Sequence, residues 1–400
     1  MPARAAKRKK VAQSTPAISA DHDKHTNFTH WAINHGVEIN GVKPANIPDR
    51  GVGLLTTKSV KEGDRVLFIP ERAMFKPDTA LLRREALDHA SPQAQLAVSA
   101  MLKFGAKDSS LKLWQDVWPS RETFEESMPM CWPASTQDFL PPPVQQPLAC
   151  QLADYRNDWS AASKVCAQHG FSEREFKYHW MIVNSRSFHW KPPRGKGGSM
   201  VMCPFIDYMN HGPSGGGCNV SQSPKGYEVV ADRDYDPEEE VLATYGAHSN
   251  DKLLVHYGFI CSSTNGTPSP DDQIRLDQLI IPTLGADIRS QLQDVGYLGG
   301  YALSPATNAI CFKTEVAVRA KLLTSNEWEY FISNGEDLSV DKSPEVKRFL
   351  ITLFAEHRKQ VMETLVKLNG VEEYRGSAAH TTLFFRWTQI LEGLEAFMNT

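Results

Sequence analysis

Four short stretches of this 400-residue chain hold side chains that could bind a ligand or help move a chemical group. The first is Gly51-Val52-Gly53-Leu54. Its glycines would let a backbone approach a ligand closely, although a plain tight turn is the simpler reading of these residues by themselves. Thr56 stands where a third glycine would be and no helix is expected to follow, which excludes the dinucleotide-binding fingerprint. The second is Asn184-Ser185-Arg186-Ser187-Phe188. Arg186 could hold a carboxylate with its forked donors, or it could be an ordinary cation at a helix C-terminus. In the third, Phe205-Ile206-Asp207-Tyr208-Met209-Asn210-His211, a carboxylate, an amide and an imidazole stand beside a glycine-rich loop. They could be a hydrogen-bonded structural pair, a cofactor contact or the start of a metal site; a metal needs more ligands at usable spacing, and no obvious set follows. The fourth runs from Glu239-Glu240-Val241-Leu242-Ala243-Thr244-Tyr245-Gly246 through Ser249-Asn250 to His256-Tyr257-Gly258-Phe259. Either tyrosine alone would pack a short helix onto strands. That helix spans only about 10 Å, and the spacing leaves open whether both rings reach one site.

The elements that must position these residues can be read from pattern. Asn27 to Gly36 is a short helix with Trp31 and Ile33 as apolar contacts. Arg65 to Ile69 reads as a buried strand closed by Pro70. Residues 79–105 and 148–188 favour helix and flank a Pro- and Trp-rich connection with Trp114, Trp118, Trp132 and Pro141-Pro142-Pro143. A second strand-rich piece covers about 200–260. It holds the loop Gly212 to Gly217, a hairpin turn at Ser223 to Gly226, the strand Tyr227 to Ala231 and the strand Val241 to Tyr245. Ser249 or Asn250 would cap the following helix and Gly258 would stop it. Beyond Ser262 the pattern is helical. Ser343-Pro344 starts a helix whose apolar residues Val346, Leu350, Leu353, Phe354, Val361, Leu365 and Leu368 repeat at helical spacing up to Asn369-Gly370. A last helix carries Leu383, Phe384, Trp387, Ile390, Leu391 and Leu394. This order implies an α+β unit followed by an α-helical domain.

Composition narrows the function. Hydrophobic residues make up 41% and charged residues 22%, as in soluble globular proteins. No apolar run reaches the ~18 residues of a membrane span, and the first ten residues lack the apolar stretch of a secretory signal. A reducing compartment is therefore expected, cytoplasmic or nuclear. The seven scattered cysteines form no C-x-x-C pair, so neither a disulfide framework nor a zinc cluster is indicated. A net charge of −4 argues against nucleic acid as a partner. The basic tip Arg4, Lys7, Arg8, Lys9 and Lys10 could be a nuclear signal, a weak polyanion contact or a solvated disordered tail. A monomer is expected.

In order, G-x-G-L, a helical insert, S-R-x-F, D-x-x-N-H, E-E-V-x-x-x-Y-G, S-N and H-Y-G-F resemble the SET-domain protein methyltransferases, in particular the branch typified by the Rubisco large-subunit lysine methyltransferase. The resemblance covers about residues 25–262. By position and helicity alone, 263–400 resembles that branch's substrate-binding domain. Composition gives a disordered basic tail over 1–20; the resemblance implies a β-rich SET fold with a pseudo-knot over 21–262, with a helical insertion at about 80–190. A helical domain over 263–400 that helps bind a protein substrate completes the arrangement. Threading of that kind is otherwise rare. Two local departures stand out: Gly212 follows the D-x-x-N-H run where Ser is usual, and Glu238 stands where Gly often precedes the acidic pair.

By the same resemblance, Gly51, Gly53 and Leu54 line a pocket for S-adenosylmethionine, Arg186 contacts its carboxylate, and Asn210 and His211 hold it through amide and backbone. Phe259 packs near it, Tyr245 is the catalytic tyrosine, Tyr257 is the second pocket tyrosine, and Ser185 and Asp207 help receive the target amine. No metal is implied. The expected activity is methyl transfer to lysine side chains of non-histone proteins, with ribosomal proteins and elongation factors as plausible kinds of substrate. A protein-histidine methyltransferase is the near alternative, disfavoured because Tyr257 is retained. A SET-fold binding protein without catalysis is the distant one.

Overall fold

A computed structural model describes residues 19–106, 109–192, 198–262, 267–338, 340–371 and 375–400; the basic stretch Arg4 to Lys10 lies outside them. Its strands are short: β1 (Glu38–Ile39), β2 (Val42–Ile47), β3 (Gly51–Thr56), β4 (Arg65–Pro70), β5 (Ser187–Trp190), β6 (Ser199–Met202), β7 (Asn219–Ser223), β8 (Gly226–Val230) and β9 (Glu240–Val241) in the first part, then β10 (Ile274–Arg275), β11 (Ala302–Ser304) and β12 (Ala309–Ile310). They form antiparallel sheets in the orders β1-β4-β8-β7, β2-β3-β9, β5-β6 and β10-β11-β12.

The Gly51 to Leu54 segment is strand rather than turn. β3 pairs with β2 along its whole length, from Ile47 opposite Gly51 to Val42 opposite Thr56. The turn falls just before it, where Asp49 takes a positive φ and Arg50 N–H donates to the Ile47 carbonyl. Burial of Leu54 and Thr56 on the sheet's inner side fixes that register. The hairpin at Ser223 to Gly226 and the β4 strand are where the pattern put them.

Residues 79–186 are mainly helical, with a different internal layout from the one read in the sequence. The prolines do not mark a connection. Pro142 and Pro143 open a helix, Pro142–Gln168, at positions where a missing N–H has no consequence. A box of reciprocal bonds between Ser172 and Glu175 starts the next, Glu173–Arg186, and this helix carries Ser185 and Arg186 at its C-terminal end. Trp114, Trp118, Trp132 and Trp180 are buried, and Trp114 stacks with Phe28 of the Ser19–Asn34 helix.

Ala243 ties the strand-rich part together. Its N–H donates to the Asn210 carbonyl (3.0 Å), its own carbonyl accepts from Gly212 N–H (3.0 Å), and Cys218 N–H donates to the Leu242 carbonyl (2.7 Å). Residues 241–243 are thus held between the two ends of the glycine-rich loop, the arrangement a threaded topology requires. Gly212 fits because a Cβ there would stand 2.6 Å from the Gly216 carbonyl oxygen and 3.0 Å from Leu242 Cβ. Serine at this position would push the loop open.

Glu238 explains the other departure. Its φ is +67°, a conformation that costs a residue with a Cβ roughly 1–2 kcal/mol. Its side chain makes only an exposed pair with Lys43, worth ~0–1 kcal/mol. Glu238→Gly is therefore expected to raise stability by about 0.5–1 kcal/mol, read as a higher urea midpoint at constant slope. A midpoint that stays or falls would mean that the ion pair outweighs the backbone strain.

From 267 onward the chain is mainly helical. Ser343–Gly370 and Ala378–Met398 pack on each other, the latter capped by Ser377 accepting from His380 N–H. The β10–β12 sheet was not expected; strands of two and three residues carry too little alternation to be read. None of the described helices is long and apolar enough to cross a membrane.

Candidate active site

Two of the four motifs meet in a single aromatic cluster. Tyr245 and Tyr257 have ring centroids 5.0 Å apart, His211 lies 5.1 Å from Tyr245, and Phe259 is within 6.4 Å of all three rings. The question left open by spacing is answered: both tyrosines reach one place. The short Asn250–Tyr257 helix delivers Tyr257, and Gly258 in a left-handed turn brings Phe259 back toward it.

Tyr245 is tied to the third motif at both ends. Its hydroxyl donates to the Met209 carbonyl at 2.8 Å, and its N–H donates to His211 Nδ1 at 3.1 Å. A nitrogen that accepts cannot carry the proton, so the neutral His211 ring holds it on Nε2. Burial also lowers the His211 pKa, favouring that neutral form. Nε2 is buried and has no partner among the described residues. An unpaired buried donor costs roughly 1–3 kcal/mol, so this is a place where a ligand or water acceptor would be stabilised. Burial pushes the Tyr245 phenol up to about 12, so it is neutral at working pH.

Beside the cluster lies a polar cradle. The Asn210 amide N–H donates to Glu240 Oε1 (2.8 Å), and Arg50 both pairs with Glu240 (3.2 Å) and donates to the His211 carbonyl (2.8 Å). Gly53 faces these groups. A Cβ there would lie 2.7 Å from Glu240 Oε1 and 2.8 Å from Asn210 Nδ2. Only glycine fits while those side chains keep their places. Arg50 was missed by sequence reasoning; its place directly before Gly51 was the available signal.

Arg186 and Asp207 form the third part. Arg186 Nη1 donates to the Asp207 carbonyl (2.7 Å) and stands 3.8 Å from its carboxylate, which also accepts from Trp114 Nε1 at 3.4 Å. Desolvation outweighs the nearby Arg186 cation and raises Asp207 to about 6. Arg186 stays partly exposed and, among the described residues, hydrogen-bonds through one nitrogen only, to Asp207. Ser185 donates to the Met181 carbonyl of its own helix, leaving only its lone pairs for a ligand. Leu54 is wholly buried between β2 and β9 and packs in the core, exposing no surface to a ligand. Among the described residues, no three His, Cys, Asp or Glu side chains gather as a metal site would need.

Residues 51–246 match the family model described as SET domain. The chain carries a SET domain. All of the motifs from Gly51 to Gly246 lie inside it, while Tyr257 and Phe259 follow it on the Asn250–Tyr257 helix and its exit. Similar curated proteins include SET domain-containing protein 4 of Mus musculus, 25% identical over 283 residues, or 64% of this chain and 63% of that protein. Ribosomal lysine N-methyltransferase 2 of Saccharomyces cerevisiae is 27% identical over 315 residues, 66% of this chain and 64% of the relative. The chain thus spans less than two thirds of the length of these relatives. Among solved structures, Rubisco LSMT bound to sinefungin and monomethyllysine aligns with a TM-score of 0.64 at 15% identity, over 94% of this chain and 90% of that one. At that identity the likeness is one of fold, and it extends through the helices that follow the SET domain.

Proposed function

We propose that this chain transfers methyl groups from S-adenosylmethionine to lysine side chains of non-histone proteins. The observation that carries this reading is the meeting of Tyr245, Tyr257, Phe259 and His211 beside the Gly53–Asn210–Glu240 cradle. The residues present suit the cofactor. Gly53 lets Asn210 and Glu240 sit close against the strand, and among the described residues His211 Nε2 is an unused donor, Asn210 hydrogen-bonds through its amide nitrogen and Arg186 through one nitrogen only. When bound, the cofactor supplies an electrophilic sulfonium methyl.

The chain's own task is to deliver a neutral amine. A lysine ammonium has no lone pair, and freeing one at pH 7 costs about 4–5 kcal/mol from its ordinary pKa near 10.4. Rings such as Tyr245, Tyr257 and Phe259 disfavour the charged form by desolvation. The proton leaves to water, since no neutral phenol can take it. Asp207 and the Ser185 lone pairs would receive the amine's N–H groups. Alignment along the displacement path then supplies much of the rate. The helices beyond residue 267 would offer part of the protein-substrate surface, and a soluble cytoplasmic or nuclear protein is the acceptor envisaged.

The test is to incubate the purified protein with methyl-labelled S-adenosylmethionine and a methylation-deficient lysate, then map the label by mass spectrometry. Label on lysine of a discrete protein is expected. Label on histidine would overturn the lysine assignment, and cofactor binding without any transfer would favour a binding protein that keeps the fold.

A further inference from the structure

His248 belongs to none of the motifs, yet it is built into the site. Its ring lies 24° from the plane of Tyr257 with centroids 6.4 Å apart, and Tyr257 in turn contacts Tyr245. On another side the ring presses on the backbone. Gly246 has a φ of +126°, and a Cβ there would come within 2.7 Å of His248 Cε1. The ring lies over Gly246, which has no side chain to displace it, and turns a face to Tyr257.

The charges around it favour a neutral imidazole. Burial and Lys252, on the Asn250–Tyr257 helix, lower its pKa; the carbonyls of Ala247 and Tyr245 and the Asp271 carboxylate oppose that without reversing it. His211 and His256 are its other titratable neighbours; burial lowers both, and each is further disfavoured as a cation by the charge of His248.

We propose that His248 is a positioning residue on the acceptor side: as a neutral ring it backs Tyr257 and fixes the wall against which the lysine amine aligns. This rests on the lysine-methyltransferase reading above. Protonation would place a cation beside Tyr257, where it repels an incoming ammonium. Because its pKa is depressed, this happens only as pH falls below the ordinary histidine value near 6.5.

The experiment compares wild type, His248→Ala and His248→Phe, using the acceptor protein identified by labelling. Steady-state rates across pH and cofactor affinity by calorimetry are measured for each. His248→Ala is expected to lower kcat about tenfold with cofactor affinity held within about twofold, and His248→Phe to recover most of that loss. In wild type, kcat/KM should fall more steeply than tenfold per pH unit on the acid side, because the His248 charge adds to that of the amine. In His248→Phe the acid limb should be shallower than in wild type, with the Asp207 carboxyl, raised to about 6, contributing equally to both. Unchanged kcat in His248→Ala, or an equal acid slope in His248→Phe, would overturn the proposal. Wild-type protein that binds cofactor but labels nothing would instead overturn the methyltransferase reading, and the role of His248 in transfer with it.

Discussion

Arg386→Leu is expected to cost about 3–5 kcal/mol of stability, a large part of what a folded domain possesses. Arg386 is wholly buried in the Ala378–Met398 helix. Its Nε donates to Asp251 and its Nη1 to Asp272, both at 2.7 Å, and those carboxylates are themselves almost fully buried. Asp272 also accepts from Asn250 N–H at 2.9 Å, and Asn250 and Gln389 bond each other and the Cys261 carbonyl. One guanidinium therefore joins the last helix to the helix that delivers Tyr257. Leucine would fill most of the volume but leave two carboxylates buried without their cation. The pH dependence separates this cause from a packing defect. Orphaned carboxylates have folded-state pKa values raised above the unfolded ones, so the penalty is full at pH 7 and shrinks as pH falls through the raised values. Urea midpoints of wild type and variant at pH 7 and pH 5 measure it. A variant within about 0.5 kcal/mol of wild type at pH 7 would show that the ion network contributes little.

Much of this could be read from sequence, and the failures share a cause. The order of short motifs located the aromatic pair and the Asn210–His211 step, and helical periodicity placed the Ser343–Gly370 helix with its end. These signals are local. Gly53 looked like part of a turn because the reason for its small size, the Asn210 and Glu240 side chains, lies more than 150 residues further along the chain. Asn250 looked like a helix cap but is a brace: Ser249 is the N-cap with no side-chain bond, while the Asn250 side chain holds both Cys261 backbone groups. Arg386 carried one faint hint, a charge at helical spacing between Leu383 and Ile390 on a buried face. Nothing nearby could reveal that Asp251 and Asp272 awaited it. His248 likewise becomes visible only once Tyr257 is seen to lie against it.

Tyr245→Phe is expected to lower kcat roughly a hundredfold while cofactor affinity changes little. The hydroxyl has one proton, and it is spent on the Met209 carbonyl. Tyr245 can therefore offer a reacting group only its lone pairs, which suit an amine N–H or the polarised C–H bonds of a methyl group in transfer. It cannot be the base: with a pKa of about 12, the phenol is neutral throughout the range in which lysine begins to lose its proton. The pH profile turns this into a sharp test. If Tyr245 orients the amine, the ratio of wild-type to variant kcat/KM is constant from pH 7 to 9.5, because both rates rise with the fraction of free amine. If it acted as a phenolate base, that ratio would grow with pH. Removing the hydroxyl also leaves the Met209 carbonyl without its donor, a loss of about 1 kcal/mol visible in thermal unfolding. A structural role alone would produce that loss with kcat intact. Hence a variant that unfolds earlier but keeps more than about a third of the wild-type turnover would assign Tyr245 to holding the Asp207–His211 segment, and would leave amine alignment to Tyr257 and the walls around it.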